Sequence, residues 1–329
     1  MDGDEGKTSL NFNELFDISP ALVIEQMDKA GDDIPLQDPP FSISVNEVGL
    51  TREDIPIQIK CPFRPNNLQY LSCTVRLHVN LPATKRGVHI SRLNHAIAEH
   101  SQKTFGHLQD YVESLARTVS RITYQNSSQV FVSGKLAYFE DITGWKPEKN
   151  KISLEQIGLH CEGQLNVENQ TFLQNAGITF SHITACPCVQ QTMKHVLLSK
   201  DIAFTHIAQE MPFLTHSQRC KTTVTIKNIS GVIPLLEMLQ IIDKVVFRVR
   251  NTLPRENELL LVFKSHKKPQ FIEDVVREIP VALYPSMAHY LNSSIETYSV
   301  SMESIHDFDI YAKSEYSMSE LKRVLEKQA

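Results

Sequence analysis

Three short clusters in the second half of the chain bring together side chains that can bind a metal ion, move protons or hold a polar heterocycle. Cys186-Pro187-Cys188 follows an apolar stretch with the alternation of a strand, and a proline there ends the ladder and fixes a thiolate at a rim. Pro212-Phe-Leu-Thr-His216-Ser217-Gln218-Arg219 sets an imidazole, an amide and a guanidinium just before another strand. One cysteine and one histidine make half of a catalytic zinc or ferrous site, which takes three protein ligands and keeps a position for water. Glu303-Ser-Ile-His306 leaves a third strand with an acid and an imidazole three residues apart. Such a pair can pass protons or hold a heterocycle through its N–H donors. Taken singly, each cluster has a plainer reading as a buried thiol, a structural histidine or a polar loop.

The elements that must position these residues can be read from periodicity. Residues 1–40 are acidic and proline-bearing, with one short helix at Pro20–Lys29, and read as an extension. In Tyr70–Asn80 the residues Leu71, Cys73, Val75, Leu77 and Val79 share one face of a strand, and Arg76, His78 and Asn80 take the other. Helical spacing follows over Ser91–Glu99 and Leu108–Ile122, then a strand over Gln129–Phe139 with Gly134 as a bulge. Beyond a link at Lys146–Lys151, strands at His160–Val167 and Gly177–Ala185 precede a helix-prone insert at Val189–Gln209. A strand at Lys221–Lys227 leads to a helix entered by Pro234, a residue favoured in a first helical turn. A strand at Leu259–Phe263, a helix at Gln270–Arg277 and strands at Ser294–Met302 and Asp309–Lys313 complete the chain. Strands, paired helices and strands thus occur twice, a weak internal repeat that divides the chain into units at 41–150 and 151–329.

The bulk properties set limits on function. With 329 residues, 41% apolar and 22% charged, the chain can bury a substantial core, and no apolar run reaches the length of a membrane-spanning helix. The opening Met1-Asp-Gly-Asp-Glu-Gly lacks a secretory signal, which leads us to expect a cytoplasmic protein. A net charge of −5 without a basic block disfavours nucleic acid as a partner but leaves room for a small anionic ligand. Six cysteines, two of them in Cys186-Pro-Cys188, suit a metal or reactive thiol better than a disulfide scaffold. Neither G-x-x-x-x-G-K nor G-x-G-x-x-G occurs, so a nucleotide would be held without a glycine-rich loop.

Taken in order, Cys186-Pro-Cys188, His216-Ser-Gln218-Arg219 and Glu303-Ser-Ile-His306 resemble the signature of the GTP cyclohydrolase type IB family. Lys85-Arg-Gly87-Val-His89-Ile-Ser91-Arg92 and Pro269-Gln-Phe271-Ile-Glu273-Asp274 are similar to two further family motifs, and the resemblance runs from about 41 to 318. Thr184-Ala-Cys186-Pro-Cys188-Val-Gln190, with a long insert before Phe213-Leu-Thr-His216, looks closer to the archaeal MptA branch. The resemblance implies an α+β fold of tandem tunnelling-fold units, each β-β-α-α-β-β, with antiparallel sheets carrying helices on one face. It implies a homodimer or homotetramer with active sites between subunits. It also implies a divalent metal, Fe(II) first with Zn(II) or Mn(II) as alternatives, on Cys186 and His216, and a substrate site around Glu303 and His306. His89, Ser91, Arg92, Gln218, Arg219 and Glu256 would contact GTP, with the Arg92 and Arg219 forks on its triphosphate.

The family's third metal ligand is a glutamate on the helix that here spans Pro234–Arg250. Gln240 takes its place without gaps and Asp243 with two small indels; the carboxylate of Asp243 is the better donor for a dication. The implied chemistry is attack of metal-bound hydroxide on C8 of the purine, opening of the ring, loss of formate and reclosure to a dihydroneopterin phosphate, either triphosphate or cyclic phosphate. Two other classes of function compete. One is a homologue that binds a purine or pterin without turnover; the other is a thiol enzyme with Cys186 as nucleophile and no metal.

Overall fold

A computed structural model describes residues 33–143, 150–199 and 211–328. The helix expected at Pro20–Lys29, most of the Lys146–Lys151 link and the end of the 189–209 insert lie outside those residues. The strands are β1 (Val45–Cys61), β2 (Arg64–Leu81), β3 (Thr104–Phe105), β4 (Ser127–Ile142), β5 (Lys151–Asn166), β6 (Thr171–Ala185), β7 (Ser217–Lys227), β8 (Phe247–Arg248), β9 (Ser294–Met302) and β10 (Ile310–Ser317). The helices are α1 (Ile90–Ser101), α2 (Leu108–Thr123), α3 (Pro187–Leu198), α4 (Leu235–Val245), α5 (Arg255–Lys267), α6 (Ile272–Met287) and α7 (Met318–Gln328).

All the strands join one sheet, in the order β10-β9-β7-β6-β5-β4-β2-β1-β3, with β8 against β6. Among the described strands only β3 runs parallel to its neighbour, β1. The alternation expected in β2 is realised, since Leu71, Cys73, Val75, Leu77 and Val79 are all buried. They share a core with Leu93 and Ile97 of α1, Tyr111 and Leu115 of α2, Met238 and Ile242 of α4, and Val275 and Leu283 of α6. Each such aliphatic side chain contributes about 1.5–3 kcal/mol when taken out of water. The opposite face is polar: Lys135, His160, Thr179, Arg219, Lys221 and Thr223 line an open cleft of about 1150 Å³.

The expected boundary near residue 150 falls between β4 and β5, which pair without interruption from Ser127↔Asn166 to Ile142↔Lys151. β5 starts nine residues earlier than expected because its first inward side chains, Ser153 and Glu155, are polar and hide the period. They are satisfied by the backbone N–H groups of Thr252 and Asn251, each at 3.0 Å. Gly134 forms no bulge: it closes the β2–β4 ladder opposite Cys73, and the β4–β5 register runs straight through it. Its glycine is needed because a Cβ there would stand 2.6 Å from Cys73 Sγ.

The strand expected at Leu259–Phe263 is instead the middle of α5. Five apolar residues in a row do not distinguish a buried strand from a helix. What decides is their setting, with Pro254 before the helix, Glu256 and Glu258 in its first turn and Lys264, His266 and Lys267 in its last, each complementing the helix dipole. α6 outruns the expected Gln270–Arg277 by continuing through Pro280 and Pro285. Pro280 cannot bond the carbonyl of Val276, and the Ser314 hydroxyl of β10 donates to that oxygen instead. α7 has no counterpart among the expected elements.

Candidate active site

β6 delivers Cys186 to the rim as the residue capping α3, with Pro187 at the first helical position. The β6–β7 pairing that ends at Ala185↔Ser217 carries on one step further, where the Cys186 N–H donates to His216 O at 3.0 Å. Thr215 Oγ1 donates to Cys186 O at 2.8 Å. Gln190 Nε2 donates to His266 O at 2.6 Å and to Phe213 O at 3.2 Å, so α3 and α5 both hold the segment that leads into His216. Two residues far apart in sequence are thereby fixed side by side at the ends of adjacent strands.

β9 brings the acid to the same rim. Glu303 has a side chain only 4% exposed, with Oε2 4.0 Å from His216 Nδ1. Its Oε1 accepts from Ser301 Oγ at 2.9 Å. Ser304 Oγ lies 3.4 Å from His216 Nδ1, and His216 Nε2 has no protein partner among the described residues. His306 is exposed on the loop that follows, edge-on to His216 with ring centroids 6.4 Å apart, and stacked on Phe308 at 5.1 Å. Cys186, His216, Glu303 and His306, named from three separate motifs, thus meet at one end of β6, β7 and β9.

Strand periodicity then divides the His216–Arg219 motif. Gln218 points to the helix-covered face, and the Arg219↔Met302 register sets Glu303 next in line opposite it. Gln218 Oε1 is buried and has no hydrogen-bond partner among the described residues. Arg219 points to the other face and lines the open cleft. The amide and the guanidinium therefore do not serve one pocket within this chain.

The remaining candidates are elsewhere. His89 precedes α1, with Nε2 3.2 Å from Asp33 Oδ2, and Arg92 Nη2 is 3.9 Å from the same oxygen. Both, with Ser91, stand beside β1 near the far edge of the sheet. Glu256 is in the first turn of α5, ten residues before the His266 that reaches Thr215 O, or about 15 Å of helix. Gln240 lines a mostly apolar cavity of about 470 Å³ with Ile59, Leu108 and Gly177, against the middle of β6 and away from Cys186 at its end.

Asp243 departs furthest from expectation. Its two oxygens accept from Arg248 Nε at 2.6 Å and Nη2 at 2.5 Å, and Arg250 Nη2 adds a third contact at 3.2 Å. Among the described residues no three His, Cys, Asp or Glu side chains gather as a metal site. A thiolate and an imidazole, Cys186 and His216, suit a borderline metal. A third donor from Asp243 does not fit, because an arginine fork already occupies that carboxylate.

Sequence reading also passed over the residues behind the acid. Thr297, Ser299 and Ser301 are all buried on the inward face of β9, with Thr184, Cys220 and Thr222 facing them from β6 and β7. His182 Nε2 bonds Thr222 Oγ1 at 2.8 Å, and Thr222 bonds Ser299 at 2.6 Å. Burial pushes the His182 pKa down to about 4 and pushes the Cys220 thiol up, so both stay neutral near pH 7. The signal was present as hydroxyl residues at every second position of a strand.

Comparison with known proteins shows the family to which the chain belongs. Residues 32–312 match the model of a family described as type I GTP cyclohydrolase folE2. GTP cyclohydrolase MptA of Thermoplasma volcanium is 30% identical over 296 residues, covering 89% of this chain and 98% of that protein. GTP cyclohydrolase MptA of Methanocaldococcus jannaschii is 27% identical over 313 residues, covering 89% and 97%. Uricase from Arthrobacter globiformis overlays with a TM-score of 0.48 at 8% identity, covering 83% of this chain and 93% of that one, a likeness too loose to bear on the site. Among the described residues no helix is long and apolar enough to cross a membrane. The family match takes in β1 through β9 and the whole rim from Cys186 to His306, and the chain belongs to the type I GTP cyclohydrolase family of enzymes.

Proposed function

We propose that this chain opens the guanine ring of GTP, releases formate and forms a 7,8-dihydroneopterin phosphate in pterin biosynthesis, at the rim formed by Cys186, His216, Glu303 and His306. The observation that carries the reading is the pairing of the buried Glu303 carboxylate with the unpartnered Gln218 Oε1 on adjacent strands. Guanine offers two neighbouring donors, the ring N1–H and the exocyclic amine, and a site built from two acceptors holds that edge. His216, steadied at Nδ1 by Ser304, keeps Nε2 free, and His306 can give or take a proton at the opening ring.

A divalent ion bound at Cys186 and His216, Fe(II) first with Zn(II) or Mn(II) as alternatives, would supply water acidified to near neutrality. Asp243 is left out of that donor set. The strand order supports the tunnelling-fold reading: β1, β2, β4 and β5 bracket α1 and α2, and β6, β7, β9 and β10 bracket α4, α5 and α6. Homo-oligomers with shared sites are supported by the position of His89, Ser91 and Arg92. Five strand spacings, about 24 Å, separate β1 from β7, so contacts from both ends to one GTP require a second copy.

The test is anaerobic purification, metal analysis and incubation with GTP plus each metal, following formate release and pterin fluorescence after oxidation. Metal-dependent formate release is expected, abolished in Cys186→Ala. Glu303→Gln should lower kcat/KM about 100-fold, the scale of one hydrogen bond to a charged group. Tight guanine-nucleotide binding with no formate under any metal would refute turnover and leave a binding protein.

A further inference from the structure

We infer that Ser301 is a positioning residue for the reaction, orienting the Glu303 carboxylate so that Oε2 alone faces the substrate. The inference rests on the proposed role of Glu303 in holding the purine. A serine hydroxyl has one proton to give, and Ser301 Oγ spends it on Glu303 Oε1 at 2.9 Å. Ser301 is 2% exposed, which keeps water away, and its cross-strand partner Cys220 is fully buried.

Cys220 strengthens the arrangement. Its thiol stays protonated because burial raises its pKa, and a neutral thiol is a weak acceptor that competes poorly with a carboxylate for the serine proton. Thr184 Oγ1 holds the same sulfur at 3.4 Å from β6. A row of small polar side chains across β6, β7 and β9 therefore ends on one oxygen of Glu303. The other oxygen is left on the His216 side, 4.0 Å from Nδ1. Without Ser301 the carboxylate could rotate and pair with His216, removing the acceptor from the position where the guanine edge would bind.

Steady-state kinetics with GTP on the full-length metal-loaded enzyme test this. Ser301→Ala should raise KM about tenfold, the loss of one charge-assisted hydrogen bond, while kcat changes less than about twofold. Ser301→Thr, which keeps the hydroxyl, should restore KM to near the wild-type value. Ser301→Cys has nearly the same size and a weak donor, so it keeps the packing if Ser301→Ala does not fold and should also raise KM. In a Glu303→Gln background, Ser301→Ala should add little further change. An unchanged KM in both Ser301→Ala and Ser301→Cys overturns the inference. A lowered melting temperature with wild-type KM, or failure of Ser301→Thr to rescue, assigns Ser301 a packing role and also overturns it. Wild-type enzyme that neither binds nor turns over GTP removes the functional reading itself, an outcome separate from an active enzyme indifferent to Ser301.

Discussion

Arg248 decides what Asp243 does. Its side chain is 6% exposed, and a guanidinium out of water must be paired. Asp243 supplies the fork partner, Tyr138 Oη accepts from Nη1 at 2.9 Å, and Arg250 ties Asp243 to Glu140. The network fastens α4 and β8 to β4, a structural task that excludes metal ligation by the same carboxylate. Asp243→Asn should therefore cost about 3 kcal/mol of stability, as expected for a buried charge left without its partner, and leave metal content per chain unchanged. Thermal melts and elemental analysis check both. Lost metal with an unaltered melting temperature would return Asp243 to the ligand set. The residue type was legible as a candidate donor, but the competing arginine fork was not, because it depends on the turn between α4 and β8.

Elements are held in register by side chains as well as by ladders. On the polar face, Glu296 of β9 bonds Lys227 of β7 at 2.6 Å and Lys313 of β10 at 2.7 Å, and Lys227 also reaches Glu315 at 2.7 Å. Partial burial pushes the Glu296 carboxyl up, but the two lysines outweigh it and hold its pKa below the ordinary value. A carboxylate with a depressed folded pKa stabilises the protein above the unfolded value, about 4.3, and loses that contribution as pH falls through the folded pKa. Glu296→Gln should then cost about 1 kcal/mol at pH 7, a modest figure for a partly exposed cluster, with a smaller gap to wild type at an acid pH below the unfolded value. Urea unfolding at the two pH values measures it, and equal gaps at both would disprove the linkage. Strands with a clean period of two, such as β2, are legible in the sequence, whereas the apolar run of α5 carries no period and reads equally well as a strand.

For the whole molecule, the decisive fact is that one sheet keeps the two groups of candidate residues at its opposite ends. The rim end also exposes Ile305, Phe308, Ile310 and Tyr311, apolar side chains around the edge strand β10, and such patches mark interaction sites. If sites are shared between copies, Cys186→Ala and Arg92→Ala enzymes, each inactive alone, should regain up to about a quarter of wild-type activity when unfolded and refolded together, from random pairing. Activity that stays at the level of the separate mutants would place each site within one chain.

The sequence by itself determined the residues at the rim. Cys186, His216, Glu303 and His306 each flank a strand whose alternation is written in the chain, so their types, order and rim positions were legible locally. Tertiary structure decided which face each side chain takes and what it meets there. Gln218 and Arg219 part company because a β-strand alternates, Asp243 is claimed by an arginine that only the fold brings near, and Ser301 acquires its role from a sulfur and a carboxylate on its own face of the sheet. These depend on cross-strand register and burial, which are set by pairing between distant segments and not by spacing along the chain.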